Sequence, residues 1–476
     1  MGNSPSTTSM HILDDDSLLN IFYLYRPSLP GEEDQGINIR FDGGAKWVGE
    51  RWWYRLAHVC QRWRNLILGS VSYLSLCLVC TYGTPVEDML AHSPPLPLVI
   101  DYEGTEITAE DEEGIILALE QQDRVRRIRL ILPGLKLQML VMAIDGEYPM
   151  LEYLTLMDPF EDISMDSILP ETLQTPRLRH LAIDCSIPTR FQLLTAAVGI
   201  VTLHLGVLHP STYFQPTVLL QTLSLMPQLE ILLIFFRFPV LNYDAERQLI
   251  RIPITTHVTL PNIRSFLLEA PSAYSEAVLS RITASRLEDL QICYPKQLTF
   301  SVPQLPQFMG RTENLRFDHA KFYFYSERVY VEFNPSGTNI SVAPFSINVA
   351  CCHLDWQVSS MAQIFNLLSQ TFSAVEHLTL SYEPHNQSSE EHNEVLRTEW
   401  RKLFRSFSSL KTLRIDDGFV DELSRCLPSE DGEDPLEVLP ELQELTYSGS
   451  GNGNDAFTSF IGARQNTGRP ITLIKS

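Results

Sequence analysis

Pro149-Met150-Leu151-Glu152-Tyr153-Leu154-Thr155-Leu156 carries the pattern that recurs through this chain. A proline ends what precedes it, and apolar residues then fall at i, i+3 and i+5, the last two alternating as in a half-buried strand. The same order returns at Leu178, Leu181, Ile183 after Pro176, at Leu229, Leu232, Ile234 after Pro227, at Ile263, Phe266, Leu268 after Pro261, and at Leu442, Leu445, Tyr447 after Pro440. Copies without the proline are Val125, Ile128, Leu130; Ile200, Leu203, Leu205; Leu287, Leu290, Ile292; Val375, Leu378, Leu380; and Leu410, Leu413, Ile415, with a poor one at Leu315, Phe317. Their spacing runs from about 22 to about 35 residues. Helical patterns lie between copies, as in Met361-Ala362-Gln363-Ile364-Phe365-Asn366-Leu367-Leu368 and Glu399-Trp400-Arg401-Lys402-Leu403-Phe404.

Strand, turn, helix and strand at this period describe a solenoid with a parallel sheet on one face, and the period brackets that of the leucine-rich repeat. The regular asparagine that follows the third apolar position in the standard repeat is missing, so the expected arc is irregular. Residues 316–356 interrupt the pattern with Phe322-Tyr323-Phe324-Tyr325, Val329-Tyr330-Val331-Glu332-Phe333 and Phe345-Ser346-Ile347-Asn348-Val349-Ala350, whose alternation suggests hairpins or a degenerate repeat. Strand side chains alternate faces, so residues between the repeated apolar positions point outward from the core. His204, Ile231, Leu233, Leu267, Gln291 and Arg316 are such positions and form the candidate target-binding set. Ile231, Leu233 and Leu267 would make an exposed apolar cluster with a binding use, or else lie under a neighbouring loop.

The beginning of the chain differs. Leu13-Asp14-Asp15-Asp16-Ser17-Leu18-Leu19-Asn20-Ile21-Phe22 reads as a helix with a carboxylate-rich first turn. Leu56-Ala57-His58-Val59-Cys60-Gln61-Arg62-Trp63-Arg64 reads as two short helical turns meeting at an aromatic anchor, with Leu56, Val59, Cys60 and Trp63 at i, i+3, i+4 and i+7. An ordinary helix core would give the same spacing.

These anchors together resemble an F-box, the helical module that docks on the Skp linker of cullin-RING ubiquitin ligases. The continuation Leu74-Ser75-Leu76 and Pro94-Pro95-Leu96-Pro97-Leu98-Val99-Ile100 is similar to F-box proteins of mushroom-forming fungi. The chain departs from the usual Leu-Pro before the first helix, having Leu13-Asp14, and carries a loop insertion at about residues 26 to 51. The resemblance implies docking through Leu13, Leu18, Leu19, Ile21, Phe22, Leu56, Val59, Cys60 and Trp63. It also implies a cullin reached through the linker, and a target held by the repeats. The expected fold is therefore α/β, with a leader at 1–9, a small helical F-box-like module at 10–75 and an irregular leucine-rich-repeat solenoid at 76–476. A repeat scaffold with a decayed F-box is the alternative.

The 476 residues, 44% of them hydrophobic, suffice for a large repetitive core. A net charge of −22 opposes nucleic-acid phosphate and suits a partner with a basic surface. Eight cysteines without framework spacing, no signal peptide and no long apolar run describe an intracellular, thiol-reduced, soluble protein, cytoplasmic or nuclear. Met1-Gly2-Asn3-Ser4-Pro5-Ser6 fits a crude myristoylation pattern, but no polybasic patch accompanies it, so no stable membrane association is expected. Asn339-Ile340-Ser341 and Asn386-Gln387-Ser388 match glycosylation sequons, without a secretory signal to make them count. No nucleophile, phosphate-loop or metal motif stands out. Cys77-x-x-Cys80 lacks a second ligand pair, and Cys351-Cys352-His353 is unsupported. The expectation is a non-enzymatic chain with no cofactor and no metal.

Overall fold

The computed structural model describes residues 13–26, 52–158, 173–185, 198–207, 215–236, 254–295, 297, 299–312, 315, 317–335, 343–382, 394–428, 434, 436–448 and 457–475. The expected leader, nearly all of the loop insertion, both sequons and Arg316 lie outside these residues. The chain divides into two compact units, Met1–Ile183 and Asp184–Ser476.

The first unit opens with helices α1 (Asp15–Tyr25), α2 (Trp52–Ala57), α3 (Gln61–Gly69) and α4 (Val71–Leu74). Cys60 is fully extended, at φ −160° and ψ 168°, and it interrupts the helical path between α2 and α3. The stripe expected at Leu56, Val59, Cys60 and Trp63 therefore does not form on one helix, and Val59 stands 57% exposed. Four parallel strands follow in chain order, β1 (Leu78–Cys80), β2 (Leu98–Glu103), β3 (Val125–Ile131) and β4 (Tyr153–Met157). The first strand begins only at Leu78, because Leu74 ends α4 and Ser75 takes a left-handed φ of 50°.

Helices α5 (Val86–His92), α6 (Ala109–Leu119) and α7 (Gly134–Ala143) are the returns between these strands. Prolines set two of the starts, with Pro85 and Pro133 as N-caps. Thr108 begins the third through a capping box, its hydroxyl accepting the Asp111 amide at 3.0 Å. Registers such as Ile100 to Ile128 to Leu154 stack the repeated apolar residues into ladders that are wholly buried. Fully burying such a side chain contributes roughly 1.5–3 kcal/mol, so the ladders are the main source of cohesion.

The division between units falls inside β5 (His180–Cys185). The second unit carries β6 (Thr202–Val207), β7 (Ile231–Phe236), β8 (Val258–Thr259), β9 (Ser265–Glu269), β10 (Ile282–Thr283) and β11 (Asp289–Tyr294). Then come β12 (His319–Phe324), β13 (Arg328–Asn334), β14 (Phe345–Ala350), β15 (His377–Tyr382), β16 (Thr412–Ile415), β17 (Glu444–Tyr447) and β18 (Thr472–Lys475). The order in its main sheet is β6, β7, β9, β11, β14, β13, β12, β15, β16, β17, β18. Neighbouring strands are parallel except at β13, which runs antiparallel to both β12 and β14. The interruption is thus a three-stranded meander built into the sheet with its strand order reversed. Its last strand continues the earlier repeats, and its first strand meets the later ones.

The core side of the meander is lined with phenylalanine. Phe333 stacks on Phe372 at 4.6 Å, Phe322 lies 5.3 Å from Phe365, and Phe324 packs near Trp400 at 5.6 Å. Gln357, on the helix Leu354–Leu367, ties the meander down by donating to the Tyr325 carbonyl at 2.8 Å and the Cys351 carbonyl at 2.9 Å. The whole is an α/β repeat fold with a mostly parallel sheet.

Candidate interaction surfaces

At the start of the chain, Asp14 stands where an F-box usually has proline. Its carboxylate accepts the Ser17 amide at 2.6 Å and so caps α1, and this bond holds the group below the ordinary carboxylate range. The helix start is secured by a different residue type. Arg62 of α3 grips the same turn, with Nη2 2.6 Å from Asp15 Oδ1 and 2.7 Å from the Leu13 carbonyl. Beneath these contacts Leu18 is 0% and Phe22 1% exposed, and Phe22 meets Trp63 edge to face at 4.9 Å.

This geometry sorts the residues expected to dock. Leu18 and Phe22 are the module's own core and cannot meet a partner, which corrects that part of the set. Leu19, Leu56 and Trp63 are half-buried, and Leu13, Ile21, Val59 and Cys60 are exposed. Leu24 and Tyr25, absent from the expected set, are 83% and 60% exposed. With Ile21 they fall at i, i+3 and i+4 on α1, an apolar stripe flanking the buried one. Their helical spacing was readable; which of two apolar stripes would be covered was not.

Nearby, a cavity of about 330 Å³ is lined by Trp53, Tyr54, Met89 and His92 among others. Trp53 Nε1 donates to the Cys77 carbonyl at 3.4 Å, and burial pushes the Cys77 thiol up to about 11.

On the sheet of the first unit the charges are matched. Arg129 donates to Asp101 at 2.8 Å and also bonds Glu103. Tyr153 stacks flat on His180 at 4.2 Å, and burial brings the His180 imidazole down to about 4, so it is neutral at pH 7.

In the second unit the outward face of the sheet is unevenly accessible. His204 is 2%, Leu233 4%, Ser265 2%, Asp289 3% and Ser346 2% exposed. Ile231, Leu267 and Gln291 are half-buried. Of the two readings of Ile231, Leu233 and Leu267, the exposed apolar cluster is therefore not the one that forms, and His204 is an interior residue, 5.0 Å from the Phe235 ring and 3.8 Å from Asp184 Oδ2. Sheet position points these side chains away from the repeat core, but position alone does not leave them in solvent.

The more accessible part lies on β12, β13, β15 and β16. Register pairs His319 with His377, Ala320 with Leu378 and Phe322 with Leu380. The repeat read at Leu315 and Phe317 thus sits five residues too early, because Ala320 occupies a position where leucine was sought. His319 and Lys321 occupy the outward positions on this strand, and the candidate Arg316 lies outside the described residues. His319 and His377 stack at 4.2 Å, and Tyr323 lies 6.1 Å from Tyr330 and 6.3 Å from Tyr325. The alternation Phe322-Tyr323-Phe324-Tyr325 was the available signal for this surface.

Cys351 and His353 do not converge. The Cys351 thiol faces the Val349 carbonyl at 3.8 Å and burial pushes it up to about 12, while the His353 ring lies against Trp356 at 4.6 Å. Among the described residues no group of three or more His, Cys, Asp or Glu could hold a metal ion, and no helix is long and apolar enough to cross a membrane.

No protein-family model matches the chain, and no curated protein matches it. Among solved structures it is similar to the leucine-rich repeat-containing protein LegL7 from Legionella pneumophila, at 14% identity and a TM-score of 0.27, over 83% of this chain and 98% of that one. So loose a superposition carries no argument, and the repeat fold rests on the strand order and registers themselves.

Proposed function

We propose that the chain is a non-enzymatic adaptor whose helical module docks on the Skp linker of a cullin-RING ubiquitin ligase while its repeats hold a protein target. The observation that supports this reading is the apolar surface left uncovered on the module. Ile21 is 46%, Leu24 83%, Tyr25 60% and Val59 57% exposed. Ile21, Leu24 and Tyr25 on one stripe of α1, with Val59 in the turn between α2 and α3, beside a core already closed by Leu18 and Phe22, suit a helical partner. Covering each would contribute roughly 1.5–3 kcal/mol before the costs of association. The adaptor then acts by proximity, raising the effective concentration of target lysines near a ubiquitin carrier.

Co-expression with a fungal Skp-type linker, followed by pull-down and size-exclusion chromatography, tests the proposal. The expected result is a stoichiometric complex that is lost in Ile21→Asp combined with Val59→Asp, both changes being at exposed positions. A well-folded monomer that never binds the linker would reject the ligase role and leave a repeat protein-interaction scaffold. Leu18→Asp cannot serve here, because it places a charge in the module's core.

A further inference from the structure

We infer that the accessible sheet face formed by β12, β13 and β16 binds an acidic peptide segment of a protein. Lys321, Arg328 and Arg414 are all exposed on this face. None of the three makes an ion pair with a described residue, in contrast to Lys411 with Glu376 at 2.7 Å and Arg469 with Glu441 at 2.6 Å. In a chain of net charge −22, carboxylates are abundant, so uncommitted cations gathered on one face are an exception.

Tyrosines pre-order two of them. Lys321 Nζ lies over the Tyr323 ring at 5.8 Å, and the Arg328 guanidinium over Tyr325 at 5.1 Å. Glu332 is beside Lys321 in register but takes its hydrogen bond from the Tyr323 hydroxyl at 3.4 Å. Register also runs from Lys321 through Thr379 to Arg414, two strand spacings, so these cations stand roughly 10 Å apart across the sheet. Tyrosine and arginine on a rigid sheet give amphipathic contact area at low entropic cost, and the charges select carboxylates. Whole-chain charge favours a basic partner, whereas Lys321, Arg328 and Arg414, on a face they share with Glu332 and Glu444, offer contacts to an acidic one.

This inference rests on reading the repeats as target-holding and is independent of linker docking. Its test is fluorescence polarisation with the full chain and a fluorescein-labelled peptide alternating Glu and Ser. A Lys and Ser peptide and an oligouridylate serve as comparisons. Saturable binding of the acidic peptide is expected, weakened about tenfold or more by Lys321→Glu with Arg414→Glu and reduced by salt. The milder Arg414→Gln gives the same direction if the double variant melts early. Absent binding, unchanged affinity in a folded variant, or equal binding of oligouridylate or the basic peptide would overturn it. The assay contains no linker, so failure here and failure of linker docking are distinguishable.

Discussion

Phe22 and Trp63 meet edge to face at 4.9 Å, joining α1 to α3 across an intervening stretch of chain. Trp63 is half-buried and Phe22 fully so, which makes the pair a brace for the helical module. Trp63→Ala should destabilise the module by about 2–3 kcal/mol, less than a fully buried tryptophan would lose. Ile21→Asp, on the exposed stripe, should leave thermal unfolding unchanged within about 0.5 kcal/mol. Circular dichroism melts of the two variants check this. Equal melting in both would mean that the ring pair does not brace the module.

Gly206 marks a close approach between β6 and the buried Asp184. A Cβ at position 206 would come within 1.9 Å of Asp184 Oδ1 and 2.9 Å of its Cα. Backbone cannot yield as a long side chain would. Gly206→Ala is expected to cost about 3 kcal/mol, seen as a lower denaturation midpoint in urea. A midpoint equal to wild type would show that the two strands separate freely.

Phe333 joins the reversed meander to the helical layer, contacting Phe372 at 4.6 Å and Phe345 at 5.1 Å while wholly buried. Phe333→Ala should cost about 3–5 kcal/mol. Limited proteolysis should then cut first near the meander, and uniform cleavage across the chain would contradict that local role.

Asp289 gives a pH dependence. Burial raises its carboxyl from 3.8 to about 7, against the opposing hydrogen bonds from Ser265 and Gln291. The folded chain keeps a proton that the unfolded chain has released, so this stability is fully present below about pH 4 and is lost as pH rises through about 7. Asp289→Asn should stabilise by roughly 2–4 kcal/mol near pH 8, the advantage shrinking towards pH 4. Calorimetry across this range is the check, and an advantage that grows on acidification would refute the assignment. Glu276, also raised to about 7 by burial while accepting the Gln304 and Leu305 amides, shifts in the same direction.

What was legible in the sequence is what neighbours in the chain decide. Leu151, Leu154 and Leu156 announce a strand, and the carboxylates Asp14 to Asp16 a helix start, because alternation and capping act over a few residues. Asp14 shows the limit even there. Its place in the pattern resembles a defect, yet its carboxylate performs the capping that the missing proline was expected to assist.

The sequence by itself determined a repeated strand and helix unit, an apolar core of ladders and a separate helical start. Tertiary structure alone decided that β14, not β12, continues the earlier repeats. It also decided that Leu233 and His204 are interior, while Lys321 and Arg414 are open. The physical reason is range. Strand pairing and the covering of a sheet face depend on segments far apart in the chain, and local periodicity carries no record of which segment arrives.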